Sequence, residues 1–148
     1  MSALPTSHEL NVGMVGMHGN YGPNLLTNEC DLLIAVGMRF DDRVTGDPKT
    51  YAKQAKIIHL DIDPAEINKN IKVEVPVIGD CKESLKLITE KIEKKSHEKW
   101  ISNFDDLMKI EFDKVINSDL NPSKKGLTMG ESILSLIHIS EPTRQWQI

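Results

Sequence analysis

Leu32-Leu33-Ile34-Ala35-Val36 is a continuous apolar run closed by Gly37, and Ile57-Ile58-His59-Leu60 is a second that stops at Asp61-Ile62-Asp63-Pro64. Runs this short, apolar throughout and bounded by Gly, Asp or Pro, suit strands buried on both faces, as in a parallel sheet. A third run, Val73 to Ile78, contains Pro76. Proline has no N–H to give a ladder, so this segment is expected to be a short strand or an edge. A polar loop through Asp47-Pro48 and a short helical stretch at Tyr51 to Gln54 fill the first gap. In the second, Pro64-Ala65-Glu66-Ile67 reads as a helix start with Asp63 as its N-cap. Residues 80 to 95 give the clearest helix pattern: Asp80 as cap, Glu83 three residues on as in a capping box, and Leu85, Ile88 and Ile92 on one face. Alternating strand and helix at this spacing implies an α/β class, a Rossmann-like parallel sheet with right-handed crossovers. Three strands make a poor free-standing sheet of that kind, so the sheet is expected to be partial, incomplete at both ends.

Outward from this centre the patterns weaken. Gly13, Gly16, Gly19 and Gly22 recur every third residue in a segment without other periodicity, which suits a loop, and Pro23 can open a short helix to about Glu29. On the other side, Trp100, Ile101, Phe104, Leu107, Met108, Phe112 and Val115 stripe a helix over 100–116 that is expected to pack on a neighbouring domain. Asn117 to Lys125 reads as a polar linker, and a further helix opens at Thr128. Four divisions follow: a central domain over 1–95, helix and linker over 96–127, the start of another domain over 128–133, and a tail over 134–148. Leu134 to Arg144 matches the translation of a transposase adapter used in short-read sequencing libraries. The tail is therefore expected not to be native, and His138, Glu141 and Arg144 are not a site.

Bulk composition narrows the class. The 148 residues carry 39% hydrophobic and 27% charged residues, as in a soluble globular protein. A net charge of −4 argues against nucleic acid as a partner. The basic run from Lys91 to Lys99 is interleaved with Glu93 and Glu98, a solvated helix face. Cys30 and Cys81 lack metal-ligand spacing and are too few for a disulfide framework. With no apolar stretch of membrane-spanning length and no signal pattern, a cytoplasmic protein off the membrane is expected.

Ligands of open parallel sheets lie across the carboxyl ends of the strands. Three segments fall there: Gly37-Met38-Arg39-Phe40-Asp41-Asp42-Arg43, Asp61-Ile62-Asp63, and Gly79-Asp80-Cys81. Glycine admits a ligand close to the backbone, arginine can neutralise a pyrophosphate, and an acid just past a strand can hold a ribose hydroxyl. The chain has no GxGxxG and no Walker loop, so neither an NAD fingerprint nor an NTPase is supported. Each candidate also has a plain structural reading. His18 can bond backbone in its loop, Asp41, Asp42 and Arg43 can form a loop ion pair, and Asp63 and Asp80 are good caps.

The stretch GMHGNYGPNLLTNECDLLIAVGMRFDDRVTG, Gly16 to Gly46, followed in order by IIHLDIDPAEINKN and VPVIGD, resembles the central domain of acetolactate synthase large catalytic subunits. These are thiamine diphosphate enzymes of branched-chain amino-acid synthesis. The resemblance is strong from Ser2 to about Ile92 and loose to about Ile133, and the pairing of GMHG with RFDDRVTG is its most specific part. It implies that this domain holds FAD in an extended form, with no net redox by the flavin. Met17 and His18 would lie by the flavin. Gly37, Met38, Arg39, Asp41 and Val44 would line the cofactor, Arg39 facing its phosphates. Asp61 would hold the ribose beside Ile62, and Gly79, Asp80 and Cys81 would pack near the adenine. Asp42 and Arg43 match positions at the mouth of a substrate channel.

The resemblance further implies a parent enzyme that condenses two pyruvates, or pyruvate and 2-oxobutanoate, into an acetohydroxy acid with release of carbon dioxide. The glutamate that activates thiamine diphosphate would lie in an N-terminal domain, and the GDG-to-NN motif that holds the diphosphate and Mg²⁺ in a C-terminal domain that 128–133 would begin; neither motif occurs in this chain. No residue here is a catalytic nucleophile or base, and the chain alone is expected to be inactive and prone to aggregate. Family members are homodimers or tetramers with a small regulatory subunit. Two other readings remain open: a self-contained, non-catalytic nucleotide-binding module, and part of another thiamine diphosphate-dependent decarboxylase or oxidase.

Overall fold

A computed structural model describes residues 4–121, 123 and 126–140, with backbone alone at 134 and 137–140. Most of the adapter-like tail, 141–148, lies outside the described residues. Packing divides the chain into two units, Met1–Asp105 and Asp106–Ile148.

The first unit is built on a three-stranded sheet of β1 (Leu32–Val36), β2 (Lys56–Asp61) and β3 (Val75–Ile78), in that order. Both pairings are parallel, with Leu33 opposite Ile57, Ala35 opposite His59 and Leu60 opposite Val77. The Rossmann-like α/β class read from the sequence is the one observed. Side chains alternate across a strand, so Leu33, Ala35, Ile57 and His59 share one face. On that face Ala35 and Ile57 join Phe40, Tyr51, Ala52, Ile71 and Val73 in the core. The opposite face is less covered. Leu60 there is fully buried, but Leu32, Ile34 and Val36 are 47%, 49% and 42% exposed. Burial of β1 on both faces, expected from its unbroken apolar run, is thus met on one face only. Residues 32, 34 and 36 find too little of the described chain above them.

Helices α1 (Tyr21–Thr27), α2 (Asp42–Thr45) and α3 (Cys81–Thr89) lie between and around the strands along the chain, and α3 packs on β2. Asp80 caps α3 as expected, accepting from the N–H groups of Lys82 and Glu83. The helix stops at Thr89 rather than reaching 95. Residues 91–100 are exposed throughout, and without a surface to pack on a charged segment gains too little from helix propensity alone. The start at Pro64 amounts to one 3₁₀ turn, Pro64–Glu66, capped by Asp63 through Ala65 N–H. Residues 51–54 form turns instead of a helix, because Ala52 takes φ 43°, and its N–H is claimed by Asn28 Oδ1 at 2.8 Å.

Helix α4 (Glu98–Glu111) opens in the first unit, where Trp100 and Phe104 meet edge to face at 5.7 Å. The second unit continues it through a π turn, Phe112–Ile116, into α5 (Asn117–Leu120). The linker expected from Asn117 therefore begins only after Leu120. Ser118 Oγ donates to Val115 O at 2.8 Å and holds that last turn. Asn121, which precedes Pro122, leaves the helical region at φ −126° and ψ 68°, as a residue before proline does. Helix α6 (Met129–Ser140) starts in a reciprocal capping box between Thr128 and Glu131.

Candidate functional site at the carboxyl ends of the strands

The parallel register brings the ends of all three strands to one edge of the sheet. Gly37 donates its N–H to Leu60 O at 2.8 Å, and Gly79 donates to Asp61 O at 3.0 Å. The end of β2 is therefore flanked by a glycine on each side. Both take positive φ, 60° at Gly37 and 154° at Gly79, and a Cβ on Gly37 would meet no atom within 4 Å. The backbone at Gly37 is open to close approach. Cys81 folds back over β2, its thiol 3.8 Å from Leu60 O. Asp61 stands half-buried in this row, with Oδ1 accepting Asp63 N–H at 2.9 Å, while Ile62 beside it is 72% exposed.

The loop after β1 is shaped by Phe40, whose backbone takes φ 51° and whose ring is 3% exposed. That ring meets His59 edge to face at 5.1 Å and Tyr51 at 6.3 Å. With Phe40 anchored inward, its neighbours Arg39 and Asp41 are turned out and meet at 3.5 Å. Arg39 remains 73% exposed in this pair, so its charge is available to an anionic ligand. Asn70 donates to Arg39 O at 3.1 Å and props the loop from the far side. Asp41 also caps α2 through Arg43 N–H. Asp42 and Arg43 are exposed on α2 and Val44 is half-buried.

The glycine-rich segment docks on this loop. Met17 N–H donates to Arg43 O at 2.7 Å, and a Cβ on Gly16 would lie 2.8 Å from that same oxygen. Asn24 holds Gly16 from behind with two hydrogen bonds, at 2.7 and 2.9 Å. Met17 and His18 are left exposed. Beside this junction lies a cleft of about 750 Å³, walled by Leu10, Val12, Met14, Val15, Met38 and Val44.

Two clusters thus form: 37–39 with 61–62 and 79–81 along the strand ends, and 16–18 with 43–44 at the loop junction. The loop from Met38 to Val44 is common to both. Sequence reasoning missed Phe40, Asn24, Asn70 and the apolar wall over Leu10 to Val15. Three of them lie inside the quoted stretches, but their roles are set by contacts across loops and not by the spacing within those stretches. Of the plain readings, the caps at Asp63 and Asp80 are present; the ion pair expected among Asp41, Asp42 and Arg43 does not form among the described residues, because Asp41 turns to Arg39 instead. Among the described residues no helix is long and apolar enough to cross a membrane.

Residues 1–88 match the family described as thiamine pyrophosphate enzyme, central domain. The chain is 48% identical over 110 residues to the probable acetolactate synthase large subunit of Methanocaldococcus jannaschii, covering 72% of this chain and 19% of that protein. It is 56% identical over 90 residues to the acetolactate synthase large subunit of Corynebacterium glutamicum, covering 61% and 14%. With the large subunit from Buchnera aphidicola the identity is 34% over 155 residues, 100% of this chain and 27% of that protein.

Proposed function

The chain belongs to the thiamine pyrophosphate enzymes through their central domain, and from that premise we propose that it is the FAD-holding part of an acetolactate synthase large subunit. The observation that carries the reading is the row of strand ends in which Gly37 N–H donates to Leu60 O and Gly79 N–H donates to Asp61 O, on either side of the end of β2. An extended dinucleotide fits the features of that row. Arg39, exposed at one end, would face the diphosphate, and the Asp61 carboxylate would accept from a ribose hydroxyl. Gly79, Asp80 and Cys81 would pack on the adenine. The apolar cleft with Met38 and Val44 suits a flat ring system, and Met17 and His18, exposed in the adjoining loop, would lie by it. Asp41 fixes the direction of Arg39, and Asp42 and Arg43 on α2 would face incoming substrate.

FAD so held supplies structure rather than net redox. The chain spans between 14% and 27% of the lengths of these relatives, so the activity proposed is that of a longer polypeptide. That protein would join two pyruvates, or pyruvate and 2-oxobutanoate, with loss of carbon dioxide, using thiamine diphosphate and Mg²⁺. The residues of this chain do not fit those two groups, since it carries no GDG-to-NN segment. Alone it is proposed to be inactive. In the cytoplasm the parent would assemble as a dimer or tetramer with a small regulatory subunit, serving isoleucine and valine synthesis. Residues 134–148 are proposed to be adapter-derived.

The test is a titration of the chain with FAD, read by flavin fluorescence and by the shift in thermal midpoint. Saturable binding that weakens about tenfold or more on Arg39→Ala supports the reading, since a hydrogen bond to a charged group contributes about 1.5–3 kcal/mol. Binding unaffected by Arg39→Ala, or no saturation by a chain that circular dichroism shows to be folded, overturns it.

A further inference from the structure

The imidazole of His59 is fully buried, and neither ring nitrogen has a hydrogen-bond partner among the described residues. A buried polar atom left unmade costs about 1–3 kcal/mol, so an uncompensated pair of them in a core strand calls for a role. His59 lies two residues before Asp61 on β2, on the same face, with Phe40 across its ring at 5.1 Å. Its Nε2 is 3.8 Å from Asp61 Oδ2, too far for a hydrogen bond but within one side-chain rotation of it. The other carboxylate oxygen, Oδ1, is already fixed by Asp63 N–H at 2.9 Å. The side chain of Asp61 is 13% exposed, so the carboxylate sits between a dry imidazole below and the open strand end above.

We propose that His59 is a positioning residue for Asp61: its Nε2–H donates to Oδ2 when the site is filled, and fixes the carboxylate that receives the ligand's ribose hydroxyl. The inference rests on the reading of Asp61 as the ribose acid of a dinucleotide site. No proton leaves the pair. With Oδ1 on Asp63 N–H and Oδ2 on His59, the remaining lone pairs of both oxygens point outward to the hydroxyl. Ligand binding then satisfies one of the two orphaned nitrogens that the free protein carries, so part of the binding free energy comes from beneath the site.

The experiment measures FAD affinity of the 148-residue chain as wild type, His59→Phe, His59→Gln and Asp61→Asn, and of each His59 variant combined with Asp61→Asn. Circular dichroism checks that each variant is folded. Phe keeps the buried ring without a donor, and Gln places an amide N–H near the position of Nε2. The expected result is about tenfold weaker binding for His59→Phe, within about threefold of wild type for His59→Gln, and no further loss from either change once Asp61 is Asn. Equal losses from Phe and Gln, or losses that persist in the Asp61→Asn background, mean that His59 only packs, and overturn the proposal. So does failure of His59→Gln to bind although folded. Imidazole ¹⁵N spectra of the wild type, with and without FAD, separate the two readings. If FAD binds but the Nε2 resonance does not move, His59 is not a positioning residue although the cofactor assignment stands. If FAD does not bind at all, the cofactor assignment falls first.

Discussion

Replacing Phe40 tests how the loop after β1 is held, because two opposed effects meet at one residue. The ring is 3% exposed and packs on His59 and Tyr51, so truncation to Ala should destabilise by about 3–5 kcal/mol. The backbone, however, sits at φ 51°, where an L side chain is strained by roughly 1–2 kcal/mol relative to glycine. At an ordinary position Gly is the worse replacement, by about 0.5–1 kcal/mol. Here the order should invert, with Phe40→Gly more stable than Phe40→Ala by up to about 1.5 kcal/mol after the two terms are combined. Urea unfolding followed by circular dichroism, with the slope compared between variants, measures both numbers. Both variants should bind FAD more weakly than wild type, because Arg39 and Asp41 lose the anchor between them. A Gly variant less stable than the Ala variant refutes the strain argument. A total loss under 1 kcal/mol in both refutes the anchoring argument.

Other substitutions probe the remaining joints. Gly16→Ala puts a methyl group 2.8 Å from Arg43 O at a φ of 107°; a fall of about 1–3 kcal/mol in stability is expected from strain and overpacking, and an unchanged thermal midpoint would show that the two loops are not in contact. Asp80→Ala removes the cap that accepts from Lys82 and Glu83, which should cost about 1 kcal/mol and lower helical ellipticity; equal stability to wild type counts against the cap. Burial, and then the charge of Asp31, push the Cys30 thiol above its ordinary value of 9.0. The folded chain therefore holds that proton where the unfolded chain has released it, and stability should fall as pH rises past about 9. Burial and then Cys30 raise Tyr51 likewise. Iodoacetamide labelling of Cys30 across pH 7–10 checks the direction, and a profile shifted below that of a free thiol contradicts it.

What the sequence disclosed was local. The apolar runs at 32–36 and 57–60 marked two strands because strand formation there depends on neighbours in the chain. Asp63 and Asp80 announced themselves as caps because a cap bonds residues two or three positions on. The strand-end segments at 37, 61 and 79 followed from parallel topology alone. Phe40 was hidden because it is an aromatic residue in a polar loop, and only the path of the chain over the sheet turns it inward. Asn24 and Asn28 read as part of a short helix and Asn70 as a loop residue, yet Asn28 and Asn70 tether backbone more than twenty residues away and Asn24 clasps Gly16 across a turn. The exposed face of β1 was also beyond local reading, since an apolar run states what a strand prefers to touch and not what is present to touch it. His59 looked like one more residue of a buried run; its missing partners appear only when the neighbouring strands are in place.

The hydrogen bond from Met17 N–H to Arg43 O, backed by the two reciprocal bonds between Asn24 and Gly16, joins segments that are distant in sequence. Ordering a loop at the moment of binding subtracts from affinity, and ordering two independent loops subtracts twice. Here that entropy is lost once, during folding, before any ligand arrives. A molecule that engages either segment therefore meets the other already in register. Weakening this junction should shorten the lifetime of a complex more than it slows the encounter, because the encounter needs only one loop while retention needs both.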